Sequence, residues 1–366
     1  MKNLSAFKNA RVVVTGHTGF KGSWLTAWLK ELDAHVMGIS LKPPTNPSHF
    51  MVSKIYKGIR DNRIDILDKK KLENKIINFK PNFIFHLAAQ SLVKLSYKNP
   101  TLTWQTNVLG TLNILESLRK LKNPCIAVIV TSDKCYHNRE IHYGYKESDT
   151  LGGKDPYSAS KASAEILVKS YISAFLKNNS NIRIATARAG NVIGGGDWAS
   201  DRIIPDCIRS WSKGDKAKLR TPNATRPWQH VMEAIGGYLC LAVNLSLNNK
   251  LNGESFNFGP NLSREYNVME LVKTMSNYWD NVHWKTIPKS KKKFQESELL
   301  RLNCNKAKKI LKLKSILKFN ETVEMVTHWY RNYYKNPKTI DFFTKEQINK
   351  YQSLAISRNS RWAKKF

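Results

Sequence analysis

Arg11-Val12-Val13-Val14-Thr15-Gly16-His17-Thr18-Gly19-Phe20-Lys21-Gly22 is the stretch that decides the fold. A short β-branched run enters a glycine turn. A helical pattern follows over Ser23–Leu32, and Val36-Met37-Gly38-Ile39 reads as a second strand. Glycines at the first strand-to-helix junction of a β-α-β start are the context that a dinucleotide-binding turn requires. The spacing is GxxGxxG, not GxGxxG. Glycine lets the backbone approach a pyrophosphate, and the helix N-terminus offers free N–H groups at the positive end of its dipole. The seven residues Gly16, His17, Thr18, Gly19, Phe20, Lys21 and Gly22 are therefore expected to line a cofactor. His17 either touches the phosphates or caps the turn. A ribose-binding acid belongs about 20 residues further on. Ser40, Leu41 and Lys42 stand there instead, which leaves NAD and NADP both open.

Outward from this turn, strands and helices alternate. Asn62–Asp68 predicts a third strand and a helix cap, Asn82–Gln90 a fourth strand ending in small residues, and Leu102–Leu121 a long helix. Ile126–Val130 is the next strand, Tyr157–Leu176 the next long helix, and Ile182–Arg188 a further strand. This alternation predicts an α/β fold with a doubly wound parallel Rossmann sheet. The rhythm breaks after Gly190, with Gly194-Gly195-Gly196 and tryptophans at 198, 211 and 228. A smaller, interleaved α/β substrate-binding lobe is expected there. The predicted division is 1–187 for the Rossmann domain with a returning segment at about 228–258, 188–227 and 259–340 for the lobe, and 341–366 for a basic C-terminal tail. Glu254–Gly259 reads as a strand returning to the sheet, and Asn267–Trp279 as helix. Trp24 and Trp28, four apart, read as a core face.

The chemistry-bearing stretch runs from Thr131 to Lys161. Ser132, Asp133 and Lys134 follow the apolar run Ile126–Val130, at the strand end where open α/β sheets bind ligands. Tyr157 and Lys161 share one helix face. A cation beside a phenol favours the phenolate. On spacing alone, a proton-transfer set and an ordinary surface pair on a capped helix both fit.

The formal charge is +32, from 60 Lys+Arg against 28 Asp+Glu. Such an excess suggests an acidic partner. The lysines are scattered, however, and the densest run, Lys289 to Lys293, lacks interleaved aromatics, so a solvated surface accounts for them. A nucleic-acid-binding protein on this scaffold is the rival class, and Ser132, Tyr157 and Lys161 argue against it. Five cysteines without CxxC or Cys/His spacing argue against a disulfide framework and against a metal site, and fit a reducing compartment. No signal peptide and no membrane-length apolar run is visible, so a soluble cytoplasmic protein is expected.

In order, Thr15–Gly22, Asp65-Ile66, His86-Leu87-Ala88-Ala89-Gln90, Thr106–Thr111, Ser132, Tyr157xxxLys161 and Arg188–Val192 resemble the extended short-chain dehydrogenase/reductase family over roughly residues 10 to 330. Four stretches sharpen the likeness to sugar-nucleotide 4,6-dehydratases, and to their CDP-glucose branch in particular. They are Thr15–Leu25, Thr131–Tyr136, Gly190–Trp198 and Arg226–Val231. The resemblance implies NAD as cofactor and a nucleoside-diphosphate sugar as substrate, in deoxysugar biosynthesis of the lipopolysaccharide kind. It implies catalytic roles for Ser132, Asp133, Lys134, Tyr157 and Lys161. Tyr157 would take the 4-hydroxyl proton, Lys161 would hold the phenolate and ribose, and Asp133 would act as general acid. Lys134 stands where many relatives carry glutamate. It is either the C5 base, an electrostatic group, or a structural lysine paired with Asp149 or Glu147. Cofactor contacts are also implied for Asp65, Ile66, Leu87, Ala88, Ala89, Gln90, Asn107, Ala189 and Val192. Substrate contacts are implied for Asn191, Arg202, Ile203, Pro205, Leu219, Arg220 and Arg226. His86 and His230 read as packed, hydrogen-bonded histidines. The family further implies a homodimer through a four-helix bundle built from Leu102–Leu121 and Tyr157–Leu176. A C4 epimerase, or a dehydratase of a GDP-, dTDP- or UDP-sugar, is the alternative on the same scaffold.

Overall fold

The computed structural model describes residues 4–140, 143–176, 181–260, 265–287 and 299–363; the lysine run 289–293 lies outside them. Among the described residues, seven strands form one sheet. They are β1 (Arg11–Thr15), β2 (His35–Ser40), β3 (Arg60–Arg63), β4 (Phe83–His86), β5 (Cys125–Val130), β6 (Ile182–Ala189) and β7 (Ser255–Phe258). Their order is β7-β6-β5-β4-β1-β2-β3, and every neighbouring pair is parallel. The order reverses between β1 and β4, so the ligand crevice opens at the carboxyl ends of those strands. The expected doubly wound sheet is present, and the returning strand takes its edge.

Side chains alternate across the sheet as a strand demands. Val12 and Val14 enter one core with α1 (Phe20–Glu31) and the almost wholly buried helix Val231–Leu247. Val13 enters the other, with Leu72 and Ile76 of α2 (Lys69–Phe79), Ile114 and Leu118 of α3 (Gly110–Arg119) and Val168 of α4 (Pro156–Tyr171). Helix α1 begins at Phe20, three residues before the sequence pattern suggests, because Gly19 is extended (ψ 167°) and the chain winds immediately after it. Both long helices are present, each with a wide π-helical turn, at Gln105–Leu109 ahead of α3 and at Ile172–Leu176 after α4.

The C-terminal segment is built into the first core. Tyr351, in the helix Ile340–Ser357, and Trp362 both pack on the Trp28 ring, with centroids 5.6 and 5.8 Å away. Trp24 and Trp28 are fully buried. Trp28→Ala is expected to cost about 3–5 kcal/mol, read as a lower urea midpoint, because it removes the surface on which the C-terminal helix rests.

Candidate active site

The glycine turn is too tight for side chains. Gly16 has φ +74°, and a Cβ there would lie 2.7 Å from Ala88 N. A Cβ on Gly22 would lie 2.1 Å from the Gly16 carbonyl oxygen. No side chain caps α1 at Gly19, so its first-turn N–H groups face the crevice ready for an anion. His17 turns away from it. Its Nε2 meets Asp61 at 2.8 Å, its ring lies under Gly38, and it is fully buried. The imidazole thus fastens the turn to β2 and β3. At the end of β2, the Ser40 hydroxyl meets Thr18 at 2.8 Å, and Arg63 donates to the Leu41 carbonyl at 2.9 Å. Arg63 is the cation that reaches this carbonyl, and its sequence position gives no hint of it.

Beyond β4, Leu87, Ala88 and Ala89 lead to Gln90, and Asn107 holds this strand end in place. Its Oδ1 accepts from Gln90 N at 2.8 Å, and its Nδ2 donates to the Gln90 carbonyl and to Ser160. Asp65 accepts from Leu67 N, and Ile66 is buried against Gly110. His86 bridges Thr15 and Thr111. His230 accepts from Met232 N. Both histidines are buried, as packed histidines should be.

Ser132, Asp133 and Lys134 leave β5 in a short 3-10 turn. Ser132 Oγ accepts from Lys134 N at 3.2 Å and donates to Asp133 Oδ1 at 2.9 Å. Asp133 is buried against Gly190, where a Cβ would sit 1.9 Å from its Oδ2. Tyr157 is the second residue of α4, whose start is capped by Asp155 accepting from Ser158 N. Its phenol lies near Ser132 and Asp133. Burial first of all pushes the phenol up to about 12, against the pull of Ser132 and Arg202. In the chain by itself the phenol is therefore neutral at ordinary pH, and the expected phenolate needs further positive charge. Lys161 donates to the Val130 carbonyl at 3.3 Å, and burial, followed by Lys21, lowers it to about 8.

Lys21 is the residue whose side chain the glycine motif leaves unread. It leaves the turn toward Lys161, Arg202, Asp133 and Asp197, and burial with Arg202 brings it to about 8. Arg202 pairs with Asp197 at 2.6 Å within electrostatic reach of Tyr157. Lys134 is half-buried. The carboxylates offered to it as structural partners are engaged elsewhere: Asp149 accepts from Lys146 N and Glu147 from Asn257 N. Asn191 holds a left-handed turn (φ 51°) after buried Ala189, and Val192 pairs with Gln229, whose amide bonds the Gly190 and Phe258 carbonyls. Leu219 and Pro205 are buried. Ile203, Arg202, Arg220 and Arg226 keep exposed surface, with Arg220 paired to Asp201 and Arg226 donating to the Thr225 carbonyl.

A lysine whose folded value lies below its unfolded one makes the unfolded chain bind more protons between the two values, so stability rises with pH there. Lys21 and Lys161 are expected to contribute a climb in stability from about pH 8 toward 10, set against the fall contributed by buried thiols such as Cys125 and Cys240, whose values burial raises. In Lys21→Met that climb is shallower, because one depressed group is gone and the other, Lys161, loses its repulsive neighbour. Urea midpoints across this window check it.

Residues 13–326 match the profile of a family described as GDP-mannose 4,6 dehydratase. The chain is 39% identical to CDP-glucose 4,6-dehydratase of Salmonella typhimurium over 96% of its own length and 99% of that protein. Among solved structures, an epimerase of Methanothermobacter thermautotrophicus superposes with a TM-score of 0.77 at 21% identity, over 92% of this chain and 96% of that one. The dTDP-glucose 4,6-dehydratase of Bacillus anthracis, solved in complex with NAD, superposes with a TM-score of 0.72 at 19% identity, over 90% and 99%.

Proposed function

The chain belongs to the GDP-mannose 4,6-dehydratase family, and from that premise we propose that it is an NAD-dependent hydro-lyase converting CDP-glucose to CDP-4-keto-6-deoxyglucose. One observation carries the choice of dehydration over epimerisation. A carboxyl group, Asp133, is buried within electrostatic reach of Tyr157 and bonded to Ser132. An epimerase has no leaving hydroxyl to protonate. The extent of the likeness to the Salmonella enzyme supports CDP-glucose over the other nucleotide sugars.

The glycine turn and the small residues after β4 fit a dinucleotide lying close to the backbone. These residues would hold NAD, which would supply a hydride acceptor for C4, the same hydride for C6, and a positively charged ring that favours the Tyr157 phenolate. Tyr157 then accepts the 4-hydroxyl proton, with Ser132 holding the same oxygen. Lys161 keeps the phenolate and ribose in place. The 4-keto group acidifies C5, where Lys134 either removes the proton or stabilises the enolate that forms. Asp133 gives its proton to the departing 6-hydroxyl. Arg226, Arg202 and Asn191 face the diphosphate, with Ile203 and Arg220 on the nucleobase side. The exposed Leu102, Trp104, Leu109, Ile166 and Phe175 on the two long helices support a homodimer through those helices. Five free thiols support a reducing, cytoplasmic setting, and among the described residues no helix is long and apolar enough to cross a membrane.

Incubation with CDP-, GDP-, dTDP- and UDP-hexoses tests the assignment. CDP-glucose is expected to give a 4-keto-6-deoxy product with strong absorbance in base; a 4-epimer alone would overturn dehydration. Gly190→Ala is expected to push Asp133 aside and slow elimination by about 10²-fold or more, with 4-keto intermediate accumulating. Tyr157→Phe is expected to block the first oxidation while nucleotide-sugar binding persists.

A further inference from the structure

We propose that the buried Glu165–Arg188 ion pair is a positioning device that locks both ends of the Thr131–Tyr136 loop against the helix of Tyr157 and Lys161. This rests on the reading of the site above. Glu165 lies one turn after Lys161 on α4, and both members of the pair are fully buried. Glu165 Oε1 accepts from the Thr131 hydroxyl at 2.5 Å and from Arg188 Nε at 3.0 Å. Its Oε2 accepts from Arg188 Nη2 at 2.9 Å, from Thr186 at 2.7 Å and from Ser255 at 3.1 Å. Arg188 Nη1 then donates to the Tyr136 hydroxyl at 2.7 Å, and that hydroxyl donates to Asn257 Oδ1 at 2.7 Å.

Thr131 immediately precedes Ser132-Asp133-Lys134, and Tyr136 closely follows it. The carboxylate therefore grips the entry of the loop and the guanidinium grips its exit. Both are anchored on β6, and Ser255 and Asn257 extend the anchor to β7. An apolar pair of similar volume would serve stability as well or better, since a buried ion pair seldom recovers its desolvation cost. Direction is what the pair adds: fixed, bidentate geometry that sets where Asp133 sits relative to Tyr157. Glu165 also places a negative charge near Lys161, opposing the effects of burial and Lys21 on that amine.

The mildest test removes one contact. Thr131→Val is expected to lower kcat about tenfold, the rate equivalent of one hydrogen bond, with KM for CDP-glucose and the thermal midpoint nearly unchanged. Thr131→Ser is expected to restore kcat. Glu165→Gln leaves Arg188 uncompensated and is expected to unfold more easily. The double variant Glu165→Gln/Arg188→Met removes that burden. It is expected to recover stability but not kcat, with the alkaline limb of its pH profile moved to lower pH, because Lys161 loses its anion. Wild-type kcat and pH profile in the double variant, or wild-type kcat in Thr131→Val, would overturn the proposal and leave the pair a stabilising role only. Retained turnover in Tyr157→Phe would instead overturn the reading of the site itself, so the two failures are distinguishable.

Discussion

The parallel register between β5 and β6 is the constraint on which the site depends. Val130 lies opposite Ala187, and Thr131 N donates to the Ala187 carbonyl at 2.9 Å. The chain then emerges as Ser132-Asp133-Lys134 alongside Arg188-Ala189-Gly190. A one-residue slip reverses every side chain in a strand. It would turn Thr131 away from Glu165 and set a residue bearing a Cβ where Asp133 now packs on Gly190. The pairing of β7 with β6, Phe258 opposite Ala189, extends the same logic. It brings the Phe258 and Gly190 carbonyls close enough for the single amide of Gln229 to join them. Register thus sets the reach of the polar groups, and the helices bring the rest to meet them.

Charge at the crevice is unbalanced by design of the packing. Lys21, Lys161 and Arg202 converge on one partly buried space with Asp133 and Asp197. Burial costs each cation solvation, and each lysine is further lowered by a neighbouring cation. A site in that state gains from any ligand that brings negative charge without bulk. A diphosphate is such a ligand. The same surplus acts on Tyr157: Arg202 already favours its ionised form, and burial opposes it. The phenol is held neutral until a further cation arrives. The overall +32 of the chain says little about this, because most of its lysines are in solvent; what matters is the few that are not.

Much of the fold was legible because it is local. Short apolar runs marked β1, β4, β5 and β6, and the glycine turn with its flanking strand and helix marked the crevice. Ser132, Tyr157 and Lys161 were legible as types at fixed spacing. What stayed hidden depends on contacts far apart in sequence. His17 looked like a phosphate contact or a turn cap, and its true partner, Asp61, lies on β3, two strands away. The motif placed the backbone of Lys21 and was silent on its side chain. Arg202 was expected as a substrate contact, and its electrostatic reach to the phenol was not legible. Glu165 was not singled out, and Arg188 read only as the end of a strand and the start of a motif, since nothing local tells that β6 will carry one to the other. The C-terminal stretch read as a basic tail, and its packing on Trp28 as the helix Ile340–Ser357 was not legible.

Lys134 is where the proposed chemistry meets this packing. A lysine at this position leaves Asp133 as the one carboxyl group of the Ser132-Asp133-Lys134 turn. Loss of the C5 proton from a 4-keto sugar spreads negative charge toward O4, the atom that Ser132 and Tyr157 hold in the proposed reaction. A cation near C5 lowers the energy of that charge whether or not it also removes the proton. Both roles ask the same thing of the side chain: freedom from a structural partner and a fixed origin. Asp149 and Glu147 are engaged elsewhere, which gives the freedom. The bond from Lys134 N to Ser132 Oγ gives the origin, so placement, more than basicity, is what the fold supplies at this position.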